Sequence, residues 1–139
     1  MVKIENTENA FLDITLTDNN GINQSLSDLR GKVIVLDFSA IEMEQSSGYI
    51  FELRELYNQY HKRGLAIYSV SLDRNKLLWE DGVSNLPWTN VYAGDEAIDV
   101  LTRYNVQSLP TLFLLDRKGN VQGRYTDFKK LDTDIQKYL

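Results

Sequence analysis

The sequence predicts an α/β fold, in which helices flank a central mixed sheet and a β-hairpin extends the sheet on its N-terminal side. Two apolar, β-branched runs, 33–38 and 65–71, are typical of strands covered on both faces. A segment with helical periodicity lies between them. A strand, a helix and a second strand in this order form a crossover that is almost always right-handed, with the two strands parallel. Two further strand-like runs, 111–115 and 121–125, surround a turn sequence and predict an antiparallel pair.

Length and composition favour one domain over residues 1–139. The chain has 139 residues, of which 42% are hydrophobic, enough to bury a core without disulfides or metals. Its formal net charge of -5 is made of interspersed acidic and basic residues, so no basic stripe is available for nucleic acid. No apolar run approaches the roughly eighteen residues of a transmembrane helix. Whether a signal, a lipid anchor or a second domain precedes Met1 is left open.

The N-terminal elements are predicted from alternation and turn residues. Residues 11–16 alternate apolar and polar as a half-buried strand does, and 18–21 supply a turn towards a second short strand. Residues 25–31 are predicted to form a short turn or a single helical turn that ends at glycine. The strand at 33–38 then contains one acidic residue, Asp37.

One long amphipathic helix is predicted from about Ser47 to Arg63. Steps of three and four place its apolar residues on one stripe, namely Ile50, Leu53, Leu56, Tyr57 and Tyr60. Basic residues complement its C-terminal end before Gly64 stops it.

Shorter helices are predicted in the second half of the chain. Asp73 can cap one that continues to about Asp81, and Asp95 can cap another from Glu96 to about Tyr104. The tail, 128–139, has its apolar residues on one face and is expected to close the domain as a helix.

Several motifs agree in order and spacing with one family; they are 25–32, 31–38, 72–73, 86–88, 108–116 and 116–119. Through them the chain resembles the thioredoxin superfamily, and within it the TlpA/ResA-type (AhpC/TSA-redoxin) thiol-disulfide oxidoreductases of bacterial envelopes. The likeness runs from about Phe11 to the C-terminus. It implies a thioredoxin-like fold and a periplasmic or cell-envelope location.

The family's redox turn has lost both cysteines here. Its members carry Trp-Cys-x-x-Cys at the N-terminus of the first long helix. Residues 37–38 and 51–53 match the family on either side of this turn and fix the alignment without a gap. Met43 and Ser46 then fall at the cysteine positions, and Glu42 falls at the tryptophan position. Because thiolates attack and resolve disulfides, and neither a thioether nor a hydroxyl does so, a chain with no cysteine excludes disulfide exchange by its own side chains. Cysteine-based peroxide reduction is excluded for the same reason.

The resemblance implies that a peptide-binding region remains. Leu109-Pro110 matches the family's cis-proline element, where the backbone of the preceding residue pairs with an extended substrate peptide. Asp37 matches the buried acid that in thioredoxins assists proton transfer from the inner cysteine, and burial favours its neutral form. The expected binding residues are Glu42, Met43, Glu44, Gln45, Ser46, Leu109 and Pro110. An extended peptide or protein is the expected partner, with no cofactor and no metal.

Two catalytic alternatives at these residues have simpler explanations or are excluded by distance. Asp37, Glu42 and Glu44 could form an acid–base set, but carboxylates near a helix N-terminus are also favoured by the helix dipole. Ser46 and His61 lie about 22 Å apart along the helix, so they cannot form a hydrolase pair.

Two other kinds of site are also disfavoured. One histidine without cysteine cannot make the nitrogen and sulfur site that zinc prefers. Trp79 and Trp88 could stack on a ligand, although large aromatic residues are more often part of the core.

Three functional hypotheses follow. The leading one is a non-catalytic binding or scaffolding module. A second is a component of a thiol-disulfide oxidoreductase system whose cysteines come from a partner or another domain. The third is a stable domain whose site has lost its function.

Overall fold

The computed structural model describes residues 12–139, which form one seven-stranded sheet with four α-helices. The strands are β1 (Thr15–Asp18), β2 (Asn23–Ser25), β3 (Val33–Ser39), β4 (Leu65–Ser71), β5 (Thr89–Tyr92), β6 (Thr111–Leu115) and β7 (Val121–Tyr125). The α-helices are α1 (Ser46–Tyr60), α2 (Lys76–Val83), α3 (Ala97–Arg103) and α4 (Phe128–Tyr138).

The sheet is mixed, with the order β2-β1-β5-β4-β3-β6-β7. Its centre is parallel, because β4 pairs with β3 on one side and with β5 on the other. The neighbours on both flanks are antiparallel: β6 pairs with β3, and β1 pairs with β5. The predicted mixed sheet with flanking helices and an N-terminal hairpin is confirmed.

The N-terminal hairpin differs from the prediction where it starts. Strand β1 begins at Thr15 rather than at residue 11, and Phe11 lies outside the described residues. Asp13 is instead tied to the short 3₁₀ turn that follows β2, since its carboxylate accepts hydrogen bonds from the amide of Ser27 at 3.0 Å and the hydroxyl of Ser27 at 2.8 Å. The predicted turn at 18–21 is present, with the carbonyl of Asp18 accepting from Gly21.

Alternation along β3 divides the core into two layers, because successive strand residues point to opposite faces. Ile34, Leu36 and Phe38 belong to the layer that includes Val100 of α3. Val33 and Val35 belong to the other layer, formed with α1 and α4. Asp37 has the same parity as this second pair and therefore lies beneath α1.

The long helix is confirmed, but its buried stripe is shifted. Helix α1 ends at Tyr60, a 3₁₀ turn continues to Arg63, and Gly64 follows in the left-handed conformation with φ 110°. Tyr49 is buried, whereas Ile50 and Tyr57 are only half-buried. The buried stripe consists of Tyr49, Leu53, Leu56 and Tyr60, which follow one another at steps of four, three and four.

Both predicted aspartate caps are wrong. Helix α2 is capped by Asn75, whose side chain accepts from the amide of Leu78 at 3.0 Å, while Asp73 is engaged elsewhere. A 3₁₀ turn precedes α3, and the side chain of Asp95 makes no cap hydrogen bond there.

Helix α4 is confirmed and is capped by Asp127, which accepts from the amide of Lys129 at 2.8 Å. Trp79 and Trp88 are 1% and 7% exposed, which supports the core interpretation for both. In the part of the chain that the structure describes, no helix combines the length and apolar character needed to cross a bilayer.

Candidate functional site

The turn between β3 and α1 carries most of the predicted site residues. The amide of Met43 donates to the carbonyl of Ala40, and the amide of Ser46 donates to the carbonyl of Met43. Gln45 lies in the left-handed region with φ 66°, which is uncommon for a residue other than glycine. Helix α1 begins immediately afterwards at Ser46. Met43 therefore lies in the tight turn that leads into the helix N-terminus.

Two carboxylates fasten this turn to the loop after β4. Asp73 is buried and accepts hydrogen bonds from the amides of Ile41 and Glu42 at 3.0 and 2.8 Å. In return, the carboxylate of Glu42 accepts from the amides of Arg74 and Asn75 at 3.3 and 2.9 Å. This reciprocal brace engages the side chain of Glu42 and fixes the turn.

The segment before β6 lies across from the turn. The Leu109–Pro110 peptide bond is cis, the isomer that the resemblance implies. The hydroxyl of Thr111 donates to the carbonyl of Ser108 at 2.7 Å and stabilises the bend. Leu109 is 37% exposed, and within residues 12–139 neither its N–H nor its carbonyl forms a hydrogen bond. The backbone N–H and carbonyl of Leu109 are thus available for pairing.

A surface depression brings the two segments together. Its lining consists of Met43, Glu44, Gln45, Gly48, Tyr49, Glu52, Pro110, Thr126 and Phe128. Of the predicted residues, Met43, Glu44, Gln45 and Pro110 line it; Glu42, Ser46 and Leu109 do not.

Sequence reasoning missed two aromatic residues of the depression, Tyr49 and Phe128. Their rings pack against each other with centroids 5.1 Å apart. Tyr49 lies four residues after Gln45, so helical spacing from the turn was the available signal. Phe128 was placed correctly on the apolar face of the tail helix, without any indication that this helix begins beside the turn.

Asp37 lies directly below the site. It is 1% exposed, and its carboxylate accepts hydrogen bonds from the hydroxyl of Tyr49 at 2.5 Å and from that of Ser39 at 3.1 Å. Burial raises the pKa of Asp37 from its ordinary 3.8 to about 6, and hydrogen bonds from Tyr49, Ser69 and Ser39 oppose the rise. The pKa of the Tyr49 hydroxyl is raised in turn, by burial first and then by the charge of Asp37.

The arrangement does not assemble a catalytic group from these acids. Asp37 is bonded to Tyr49 and Ser39, Glu42 to backbone amides, and no hydrogen bond joins Asp37, Glu42 and Glu44 to one another within the described chain. His61 is also occupied: its Nδ1 lies 2.7 Å from the carbonyl of Tyr57, and its ring stacks on that of Tyr57.

Metal binding finds no support either. Among residues 12–139, no three histidine, aspartate or glutamate side chains are grouped so as to hold an ion.

Comparison with known proteins agrees with this fold. The family model described as Thioredoxin-like matches residues 31–121. The chain belongs to the thioredoxin-like family. It is 34% identical over 127 residues to the thiol-disulfide oxidoreductase ResA of Geobacillus kaustophilus (strain HTA426). The aligned region covers 91% of this chain and 72% of that protein.

Solved structures of thioredoxin-like proteins superpose well on this chain. An uncharacterized thioredoxin-like protein from Bacteroides vulgatus has 38% identity and a TM-score of 0.84, over 92% of this chain and 85% of that one. The thioredoxin domain of a thiol-disulfide oxidoreductase from the same organism has 26% identity and a TM-score of 0.85, over 93% and 94%. This thioredoxin-like chain nevertheless has no cysteine, so it lacks the thiols on which disulfide exchange depends.

Proposed function

We propose that this thioredoxin-like protein is a non-catalytic binding module that holds extended peptide segments between the turn at 43–46 and Leu109-Pro110. The observation that carries the proposal is the depression that Met43 and Pro110 line together, in a chain without cysteine. In this proposal the depression still contacts a bound peptide, as the site of a dithiol enzyme does, but no disulfide is formed with that peptide.

Backbone pairing supplies the attraction. An extended peptide can add to an exposed stretch of strand-like backbone, with main-chain hydrogen bonds giving affinity and side-chain pockets giving selectivity. The N–H and carbonyl of Leu109 have no hydrogen-bond partner among residues 12–139 and are suited to this pairing. Met43, Tyr49 and Phe128 provide apolar and aromatic surface for the peptide's side chains.

In this proposal Met43 and Ser46 stand at the positions of the family's two cysteines. Support comes from their place relative to the helix, since Ser46 is its first residue and Met43 precedes it by three. The buried carboxyl of Asp37, with its raised pKa, fits the position of the family's buried acid.

The location and context that we propose follow from the relatives. ResA-type resemblance favours a cell-envelope location. Because relatives are named thiol-disulfide oxidoreductases, the alternative proposal is a role in such a system, in which a partner or a second domain supplies the cysteines. The sequence upstream of Met1 in the native gene discriminates between these contexts, because a lipoprotein signal or a cysteine-containing domain there favours the second.

Chemical-shift titration of the ¹⁵N-labelled protein tests the binding site. An uncharged extended peptide of about seven residues is expected to shift the amides of the turn and of Leu109 at millimolar concentration. The same peptide with N-methyl groups at alternate residues loses the main-chain donors along one edge and, when that edge faces Leu109, is expected to shift these amides much less. If no shifts occur near either segment, the proposal fails.

A matched pair of variants localises the effect. An added Cβ at Gly48 meets no atom within 4 Å, so Gly48→Gln fills the depression without distorting the helix. This variant is expected to abolish the shifts. Ile98→Gln changes a side chain that is 80% exposed on α3, on the other face of the sheet, and is expected to leave them unchanged.

A further inference from the structure

The depression at the turn continues as a groove along helix α1. A second depression, lined by residues of α1 and of the segment 126–132, shares Glu52, Thr126 and Phe128 with the first. Gly48, Glu52, Glu55 and Gln59 follow one another at steps of four, three and four, so they form one stripe of the helix and one wall of the groove. The start of α4 forms the other wall.

The floor of this groove is apolar. Leu56 and Tyr49 are 5% and 9% exposed, and the half-buried ring of Phe128 packs on Tyr49. Met43 and Pro110 continue the apolar surface at the end next to the turn. Side chains of modest size that point downwards from a bound segment would meet this floor.

The rim, in contrast, carries an excess of negative charge. Five carboxylates line the two depressions against a single ammonium group, that of Lys129; the carboxylates belong to Glu44, Glu52, Glu55, Asp127 and Asp132. Ion pairs within residues 12–139 involve only Asp99 and Asp134 among the acids, so none of these five carboxylates is in an ion pair with a cation of the described chain.

The three glutamates are the most available of these acids. Asp127 is occupied in capping α4, and Asp132 accepts a hydrogen bond from the hydroxyl of Tyr60. Glu44, Glu52 and Glu55 are exposed, and in the described part of the chain their side chains make no hydrogen bond.

We propose that this acidic groove binds an extended polypeptide segment in which lysine or arginine alternates with apolar residues. The inference rests on the proposed function and adds the chemical class of the segment. From Gly48 to Gln59 the wall is about 16 Å long, which about five residues of extended chain span. In such a chain alternate side chains point to opposite sides, so the cations reach the rim while the apolar side chains contact the floor.

Three peptides of about seven residues test the charge preference. They share their apolar positions and carry lysine, serine or aspartate at the alternate positions, and calorimetry at about 0.05 M NaCl measures their affinities. The lysine peptide is expected to bind about tenfold more tightly than the serine peptide, and the aspartate peptide more weakly than both. At about 0.5 M NaCl the advantage should largely disappear, because salt screens exposed charges.

Charge-reversal variants locate the preference on the protein. Glu52→Lys with Glu55→Lys is expected to weaken the lysine peptide about tenfold and to leave the serine peptide within about twofold. Asp95→Lys with Glu96→Lys changes the net charge equally in the 3₁₀ turn before α3, outside both depressions, and should leave the affinities of both peptides within about twofold.

Each outcome decides one of the two proposals. Equal affinities of the three peptides, or equal losses in both double variants, would overturn the acidic-groove inference while the binding module stands. If none of the peptides binds at millimolar concentration, both are overturned.

Discussion

The buried carboxyl of Asp37 leads to a prediction whose magnitude follows from the structure. The unfolded chain ionises this group above its ordinary pKa of 3.8, whereas burial raises the pKa in the folded protein to about 6. Between these two values the folded state holds more protons than the unfolded state. Its stability therefore falls as the pH rises.

The size of the effect follows from the difference between the two pKa values. Each pH unit of difference corresponds to about 1.4 kcal/mol, so ionised Asp37 lowers the free energy of unfolding by about 3 kcal/mol. The sign is fixed by the raised pKa: the penalty is absent below pH 3.8, grows through the interval and is complete above about pH 6.

Asp37→Asn removes this penalty while keeping the shape of the side chain. The amide oxygen still accepts from the hydroxyl of Tyr49, and the amide nitrogen can donate to that of Ser39. The variant is expected to be more stable than the native protein by up to about 3 kcal/mol near pH 7.5, and nearly equal to it near pH 4.

Urea unfolding followed by tryptophan fluorescence measures the difference at several pH values, because Trp79 and Trp88 are both buried. Asp81→Asn removes an exposed carboxylate and serves as the control, with a change within about 0.5 kcal/mol throughout. A stabilisation by Asp37→Asn that stays constant with pH, or grows towards acid, would refute the reasoning.

Three further predictions concern the same region. Tyr49→Phe removes the main donor to Asp37 and should cost about 1–3 kcal/mol near pH 7.5 but clearly less near pH 4, by the same urea assay; equal losses at both pH values would contradict it. Asp73→Ala leaves the two turn amides without their acceptor and should cost at least about 2 kcal/mol, with faster hydrogen exchange at both amides; unchanged exchange would contradict it. The native protein should reduce insulin with dithiothreitol no faster than the reagent blank, whereas Met43→Cys with Ser46→Cys should exceed the blank; native turnover would overturn the thiol argument.

The sheet and the long helices could be predicted from the sequence because their patterns are strong and local. Strands β3 and β4 are mostly apolar, and α1 has regular steps of three and four between apolar residues. Burial on both faces of a strand or on one stripe of a helix produces such patterns directly. The motif spacing then indicated which residues approach one another across the sheet.

The brace at the turn could not be predicted in this way. Sequence rules treat Asp73 as a cap for the next helix, since they see only its neighbours along the chain. In the folded protein the amides of Ile41 and Glu42 need a hydrogen-bond acceptor. The carboxylate of Asp73, more than thirty residues away in the sequence, is that acceptor. Asn75 takes over the cap. Tertiary hydrogen bonding thus decides between two equally good local assignments.

The contact between Tyr49 and Asp37 also limits what restored cysteines could do. According to the resemblance, the family's buried acid assists proton transfer from the inner thiol. In this protein Tyr49 and Ser39 already donate to the two carboxylate oxygens of Asp37. Adding Tyr49→Phe to the Met43→Cys and Ser46→Cys variant releases one of these oxygens.

We therefore expect the triple variant to reduce insulin faster than the double variant. The gain should be about several-fold, within the range of proton-transfer assistance. Tyr57→Phe in the same double-cysteine background is the matched control, because its hydroxyl contacts the carbonyl of Pro87 instead of Asp37. Equal rates for the double variant and the triple variant with Tyr49→Phe would show that hydrogen bonding by Tyr49 does not hold Asp37 away from the restored thiols.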